Sequence, residues 1–439
     1  MADASARTQP VHADATLTQG LTALIAAKSV SKTDRTAAAL FALDAIANAL
    51  AGRNSDPGRI LLAWARERPA ADASGFVTAS LTHILEIDDL HRQSVTHPGC
   101  VVVPAALAIA RRRGARGHAF LDAVLAGYEA MCRVGNAVGP AHYRIFHNTA
   151  TCGPFGSAVA AAHLLGLDAT QTVHALGNAG TQAAGLWQFL ETGAMSKHLH
   201  AGHATEAGVR AAELAALGFT GPPAILEGAK GFFRGLCPDA DPDAVLRAPD
   251  AAWELRRTSI KPWPSCRHTH PAIDAASSLR GAIGNRAIAR VQVETYRAAM
   301  DLCDRPVPDS EYAAKFSLQH CTAAALSLPL VEFASFDAPA RRDLADLRMR
   351  IECRVADRFA AAYPQDWGSA VTVTLADGAE LVAERRHAKG DPEAPLDAAA
   401  MRTKAVMLLR HGGVAEPDAV IDGILALADD APLPALAIA

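Results

Sequence analysis

The sequence predicts a mainly α-helical fold: a large all-helical domain built from both chain ends, plus a smaller α+β lid domain between them. Three observations predict it. Helical patterning alone is found up to about residue 265. Alternating runs and one hairpin signal are confined to residues ~270–395. A Pro-containing connector, Gly390-Asp-Pro-Glu-Ala-Pro395, then returns the chain to helical patterning. The 439 residues exceed the roughly 250–300 at which one core stops growing. The expected divisions are residues 1–268, 269–395 and 396–439, the last returning to the first.

Taken in order, residues 1–15 read as a loose tail, and Leu17–Lys28 as the first helix. Ser31-Lys-Thr-Asp34 resembles a capping box with Asp in place of Glu. Leu40, Leu43, Ala47 and Leu50 follow at helical spacing, and Gly52 stops that helix. Residues 59–67 and 75–92 read as two more helices. Pro104 is placed at a helix start, where its fixed φ is suited. Gly114 ends that helix, and Arg111–Arg113 in its last turn complement the dipole as a solvated face. Gly117–Arg133, an Ala-rich run to Leu165, Thr170–Leu176 and residues 205–217 continue the series. A helix near 271–283 precedes the alternating runs Ala289–Thr295 and Arg348–Val355. Val371–Leu375 and Glu380–Ala383 flank Asp377-Gly378, a hairpin turn. Helices near 396–411 and 416–428 close the chain.

Half of the residues are hydrophobic and only 5% aromatic, which suits close-packed Ala-rich helices. A net charge of -4 gives no nucleic-acid surface. No apolar run reaches the ~20 residues of a membrane helix, and the N-terminus lacks a signal-peptide profile. The eight cysteines are scattered without a Cys-x-x-Cys pair, against both a zinc site and a disulfide framework. A cytoplasmic, reducing location is expected.

Titratable residues concentrate in four clusters, read as lying in turns between helices. They are Asp88, Asp89, His91 and His97; Tyr143, Arg144 and His147; Lys197, His198, His200 and His203; and the run Lys261 to His270 with Arg267 and His268, at the expected domain junction. Each has an ordinary explanation as cap, connector or solvated charge. The histidines at 198–203 lack the spacing of a His-Glu-x-x-His metal pair, so no metal is expected. Together the clusters are cationic. Such a site suits a small polycarboxylate and stabilises the electron-rich intermediate left when a proton α to a carboxylate is removed. No dinucleotide or triphosphate fingerprint occurs, so no cofactor is expected. No nucleophile elbow occurs either.

The order of the motifs resembles the MmgE/PrpD family, which includes 2-methylcitrate dehydratase, cis-aconitate decarboxylase and iminodisuccinate epimerase. The matching pieces are Asp88-Asp89 with His97-Pro-Gly, Phe146-His-Asn-Thr149, Gly153-Pro-Phe-Gly156, Lys197-His-Leu-His200-Ala-Gly, Gly221-Pro-Pro, Lys261-Pro-Trp-Pro-Ser-Cys and Phe316-Ser-Leu. The resemblance implies a homodimer, no metal, and an active site between the two domains. By analogy with the decarboxylase it implies site positions at His97, His147, Lys197 and His270. That enzyme's aspartate and threonine fall on Glu86 and Leu90 here, a departure from its pattern. The wording around Tyr143 and Lys197 is closest to the epimerase-like branch, where the two act as opposed bases.

The resulting expectation is an acid–base enzyme acting α to a carboxylate of a small di- or tricarboxylate, as a 2-methylcitrate dehydratase-like lyase. Lys197, Tyr143, His147 and Asp88 are the expected catalytic residues. His97, His200, Lys261, Arg267 and His270 are expected to hold substrate. The alternatives are an epimerase or racemase of an iminodisuccinate-like substrate, and a non-catalytic binding homologue.

Overall fold

The structure, a computed structural model, describes residues 15–68 and 75–438. The tail expected over residues 1–15 lies outside them, except for its last residue. The fold is mainly α-helical with a smaller α+β part. The first ten helices are α1 (Leu17–Ala27), α2 (Lys32–Gly52), α3 (Asp56–Arg66), α4 (Phe76–Thr82), α5 (Gly99–Arg113), α6 (Gly117–Ala137), α7 (Gly139–Tyr143), α8 (Asn148–Leu165), α9 (Ala169–Gly180) and α10 (Ser196–Ala216). Ser31 caps α2 through the expected box with Asp34. Gly114 and Gly166 end α5 and α8 in the left-handed conformation that a Cβ disfavours.

The centre of this half is α8, which packs between α6 and α10 and against α5 and α9. Small residues make the approach possible. A Cβ on Gly208 of α10 would sit 2.0 Å from the Ser157 hydroxyl of α8. One hydrophobic core runs from Leu21 through α2, α5 and α6 to Leu408 and Ile424. The chain's end therefore packs into the same core as its beginning.

Beyond residue 265 come α11 (His270–Ile283), α12 (Arg297–Cys303), α13 (Glu311–Lys315) and α14 (Leu318–Ser327), then α15 (Ala398–His411) and α16 (Pro417–Leu425). The strands are β1 (Leu90–His91), β2 (Thr258–Ser259), β3 (Ile288–Thr295), β4 (Ile351–Val355), β5 (Ser369–Leu375) and β6 (Glu380–Arg385). Four of them form a sheet in the order β4-β3-β5-β6. β3 is parallel to β4 and antiparallel to β5, and the β5–β6 hairpin turns at Asp377-Gly378. Val291, Val293 and Thr295 face inward as their alternation predicts. This sheet and α11 enclose a second core.

Four local expectations are corrected. The helix expected over 75–92 stops at Thr82, because buried partners pull the following backbone out of helical geometry. Pro104 lies inside α5 rather than at its start. The helix continues past it because residues 99–107 are buried throughout. The Lys197–His203 run is not a turn but the first two turns of α10. Lys197, Ala201, Thr205 and Gly208 share its buried face at helical spacing. Finally, the first 265 residues are not purely helical, because β1 pairs with β2.

Candidate active site

That two-stranded ladder assembles the site. Leu90 pairs with Ser259 and His91 with Thr258, so the acidic turn after α4 lies beside the Lys261 segment. Lys261 then donates to the Glu86 carbonyl at 3.0 Å, and Lys404 of α15 to the Ile87 carbonyl at 2.8 Å. Two buried ammonium groups thus hold consecutive carbonyls. Glu86 adopts φ +61° and Val95 φ +50°. Left-handed backbone is costly for both, and most of all for the β-branched valine. Strain of this kind collects where surrounding structure imposes it, often at functional sites.

A cavity of about 540 Å³ opens between the two parts of the fold. Six of the expected residues line it: His97, Tyr143, His147, Lys197, Lys261 and Arg267. Three others stand behind the lining. Asp88 contacts His97 at 3.4 Å. His200 lies 3.2 Å from His147, nitrogen to nitrogen. His270 is wholly buried, directed at the Ser265 carbonyl at 3.3 Å and packed on Trp263. His91 turns away to Glu254 at 2.9 Å, and His203 to the Gln182 carbonyl at 3.1 Å.

The electrostatics separate the candidates. Lys197 is ion-paired with Glu86. Burial opposes its charge, but Glu86 outweighs it, and the Lys197 pKa stands above the ordinary value. Burial likewise raises the Glu86 carboxyl, but Lys197, Lys261 and His83 bring it down to about 2. Burial pushes the Tyr143 phenol up. Lys197 and Tyr143 are therefore protonated at neutral pH and suit proton donation, against the expectation of two opposed bases. Burial lowers His97 to about 4 and His147 well below the usual imidazole range. These neutral rings are the proton acceptors that face the cavity.

The adjacent aspartates are driven apart. Burial would raise Asp88, but His83 at 2.7 Å and His97 hold it well below the usual range. Burial raises Asp89 well above that range, and Asp89 accepts from the Tyr128 hydroxyl at 2.7 Å and the Gly99 N–H at 3.0 Å. Asp88 is thus the more acidic of the pair and Asp89 the less acidic.

His83, Asp88 and His97 bring donor atoms within 4.8 Å of one another, a grouping that a metal ion could use. Two ligand atoms sharing a tetrahedral ion lie roughly 3.4 Å apart. The 2.7 Å contact of His83 with Asp88 is instead that of a hydrogen bond. Arg267 pairs with the buried Asp391 through Nη2, while its buried Nη1 has no hydrogen-bond partner among the described residues. Lys261 has no carboxylate within ion-pair distance among the described residues.

Residues 21–245 match the MmgE/PrpD N-terminal domain, and residues 263–429 match the MmgE/PrpD C-terminal domain. The chain belongs to the MmgE/PrpD family. It is similar to cis-aconitate decarboxylase of Homo sapiens, with 28% identity over 326 residues, 70% of this chain and 66% of the relative. It is also similar to cis-aconitate decarboxylase of Aspergillus terreus, with 26% identity over 317 residues, 65% of this chain and 64% of the relative. The chain spans slightly under two thirds of the length of these curated relatives.

In this MmgE/PrpD protein, sequence reasoning passed over His83, Asp391 and the cavity-lining Tyr312 and Trp367. His83 sits at the end of α4 and stacks on His147, ring centres 5.5 Å apart. Read as one more residue of a longer helix, it gives no signal. Had that helix been ended at Thr82, an isolated histidine five residues before Asp88 would have stood out.

Proposed function

We propose that this protein is a lyase using its own side chains as acid and base to remove a proton α to a carboxylate of a small polycarboxylate. The observation that carries the reading is the pairing, in one cavity, of neutral His97 and His147 with the ammonium groups of Lys197 and Lys261. A neutral imidazole takes the proton. The ammonium groups offset the charge that builds on the carboxylate as the carbanion forms. Lys197 or Tyr143 then returns a proton, or protonates a leaving hydroxyl in a 2-methylcitrate dehydratase-like elimination. The cis-aconitate decarboxylases among its relatives support a lyase acting on such acids.

Epimerisation is the second reading. It is favoured by Tyr143 and Lys197 lining the cavity as proton donors beside the neutral imidazoles of His97 and His147. Residues 269–395 are taken as a separate folding unit that closes the site. The exposed row Ile145, Leu186, Leu190, Met195 and Leu199 supports a homodimer. Eight unpaired cysteines, seven of them buried, support a cytoplasmic location.

The test is proton NMR in deuterated water with 2-methylcitrate, citrate, cis-aconitate and iminodisuccinate. A new vinyl signal, or loss of carbon dioxide, is the expected lyase result. Deuterium entering the α position with nothing lost would replace it by the epimerase reading. No exchange with any of the four would overturn both.

A further inference from the structure

His268 lines the cavity but has no part in the chemistry above. Its ring lies flat on Trp367, with centres 4.5 Å apart and planes 3° from parallel. Its Nδ1 is 2.6 Å from the Tyr296 hydroxyl. Tyr296 directly follows β3, is fully buried, and stacks on Tyr363 with ring centres 4.6 Å apart. Burial, with Arg267 and Lys261 nearby, lowers His268 to about 3, so the ring is neutral. Burial pushes the Tyr296 phenol well up, so the phenol keeps its proton.

Together these contacts decide which ring nitrogen carries the hydrogen. A neutral imidazole has one donor and one acceptor nitrogen. With the hydrogen on Nδ1, the Tyr296 O–H would point into the core without an acceptor, because His268 is its one hydrogen-bond partner among the described residues. An orphaned buried donor is costly. With Nδ1 as acceptor the phenol is satisfied, and the hydrogen sits on Nε2. Nε2 has no partner among the described residues and is not sealed in the interior, so it opens on the cavity. Beside it, Arg267 keeps a buried Nη1 without a hydrogen-bond partner. We infer that His268 is a further substrate-binding residue: its Nε2–H donates to a carboxylate oxygen of the substrate, and Tyr296 holds it in that tautomer. The inference rests on the polycarboxylate reading above and adds a neutral donor to its cations. A ring already fixed by Trp367 and Tyr296 loses little freedom when the substrate arrives.

Two measurements on the full chain test it. The first needs no ligand: nitrogen NMR of the protein with labelled histidines, the His268 signals assigned by their loss in His268→Phe. The parent is expected to show a protonated Nε2 and a bare Nδ1 at neutral pH, and Tyr296→Phe a mixture of both tautomers. A hydrogen on Nδ1 in the parent, or a tautomer unmoved in Tyr296→Phe, would overturn the role of Tyr296. The second is calorimetric binding of tricarballylate. His268→Phe keeps an aromatic ring on Trp367 but loses the donor, and is expected to weaken binding roughly ten- to a hundredfold. His268→Gln places an amide N–H near Nε2 and is expected to stay within about threefold of the parent. Unchanged affinity in a His268→Phe variant of normal circular dichroism would overturn the contact while leaving the polycarboxylate reading standing. Equal losses in His268→Phe and His268→Gln would also overturn it, since packing rather than the donor would then matter. No binding of tricarballylate by the parent would overturn the polycarboxylate reading and the contact with it.

Discussion

Lys197 and Glu86 form a buried ion pair across 111 residues of sequence. It joins the first turn of α10 to the strained turn after α4, and both members line the cavity. Lys197→Met removes a proton donor and leaves Glu86 buried without its cation. We expect kcat/KM to fall roughly 10²–10⁴-fold, with stability lower by about 3–5 kcal/mol. Glu86→Gln tests the other member. Without the carboxylate the Lys197 pKa falls, so the basic limb of the pH–rate profile moves to lower pH. A profile unmoved in Glu86→Gln would sink the proposed pairing role.

The two neighbouring aspartates are expected to respond oppositely to the same change. Asp88 is anionic, hydrogen-bonded to His83 and 3.4 Å from the His97 ring, so its charge positions His97. Asp88→Asn should lower kcat by roughly 100-fold with little change in KM, as for a residue acting through another. Burial raises the Asp89 carboxyl, and Asp89 serves as acceptor to Tyr128 and Gly99, a role the asparagine carbonyl oxygen keeps. Asp89→Asn is expected to stay within about fivefold of the parent in kcat/KM. Steady-state kinetics on both variants decide it. Equal losses would mean that the environments of Asp88 and Asp89 do not differ as described.

What was legible in the sequence was local. The Ser31 box, the left-handed caps at Gly114 and Gly166, and the turn at Asp377-Gly378 each need only a few adjacent residues. What was not legible depends on residues far along the chain. No pattern near Thr82 ends α4. Beyond it, Lys261 and Lys404, distant in sequence, hold the carbonyls of Glu86 and Ile87. Pro104 marks a helix start in isolation, yet complete burial keeps α5 going through it. Six of the expected site residues converge on one cavity. Their ionisation did not follow from residue type, because it is set by burial and by partners such as His83 and Asp391.

Acidification should destabilise the protein well above the range in which carboxylates titrate. Burial lowers His97 and His200 to about 4 and His268 to about 3. In the unfolded chain these rings titrate near the ordinary value of about 6.5. Below that pH the unfolded chain binds protons that the native cluster refuses, so stability falls as pH falls, down to the native values. Each histidine contributes up to about 1.4 kcal/mol per pH unit. A thermal melt at pH 5.0 is expected at least about 5 °C below one at pH 7.5. A flat Tm across that interval would mean the imidazoles are hydrated rather than buried.

Lys404 lies far from the acidic turn in sequence and lines no part of the cavity. It pairs with Asp44 of α2 and donates to the Ile87 carbonyl, and both side chains are 2% exposed. Burial pushes each toward its neutral form, so the pair persists only because each partner is present. Lys404→Met alone strands a buried carboxyl and should cost about 3–5 kcal/mol. Adding Asp44→Leu removes the stranded group and should recover most of the lost Tm. Activity should not recover with it, because the Ile87 carbonyl still lacks its donor and the turn carrying Glu86 is free to relax from its left-handed conformation. Loss of kcat in a double variant of normal stability would separate positioning from folding. Recovery of both would mean that Lys404 serves the core alone.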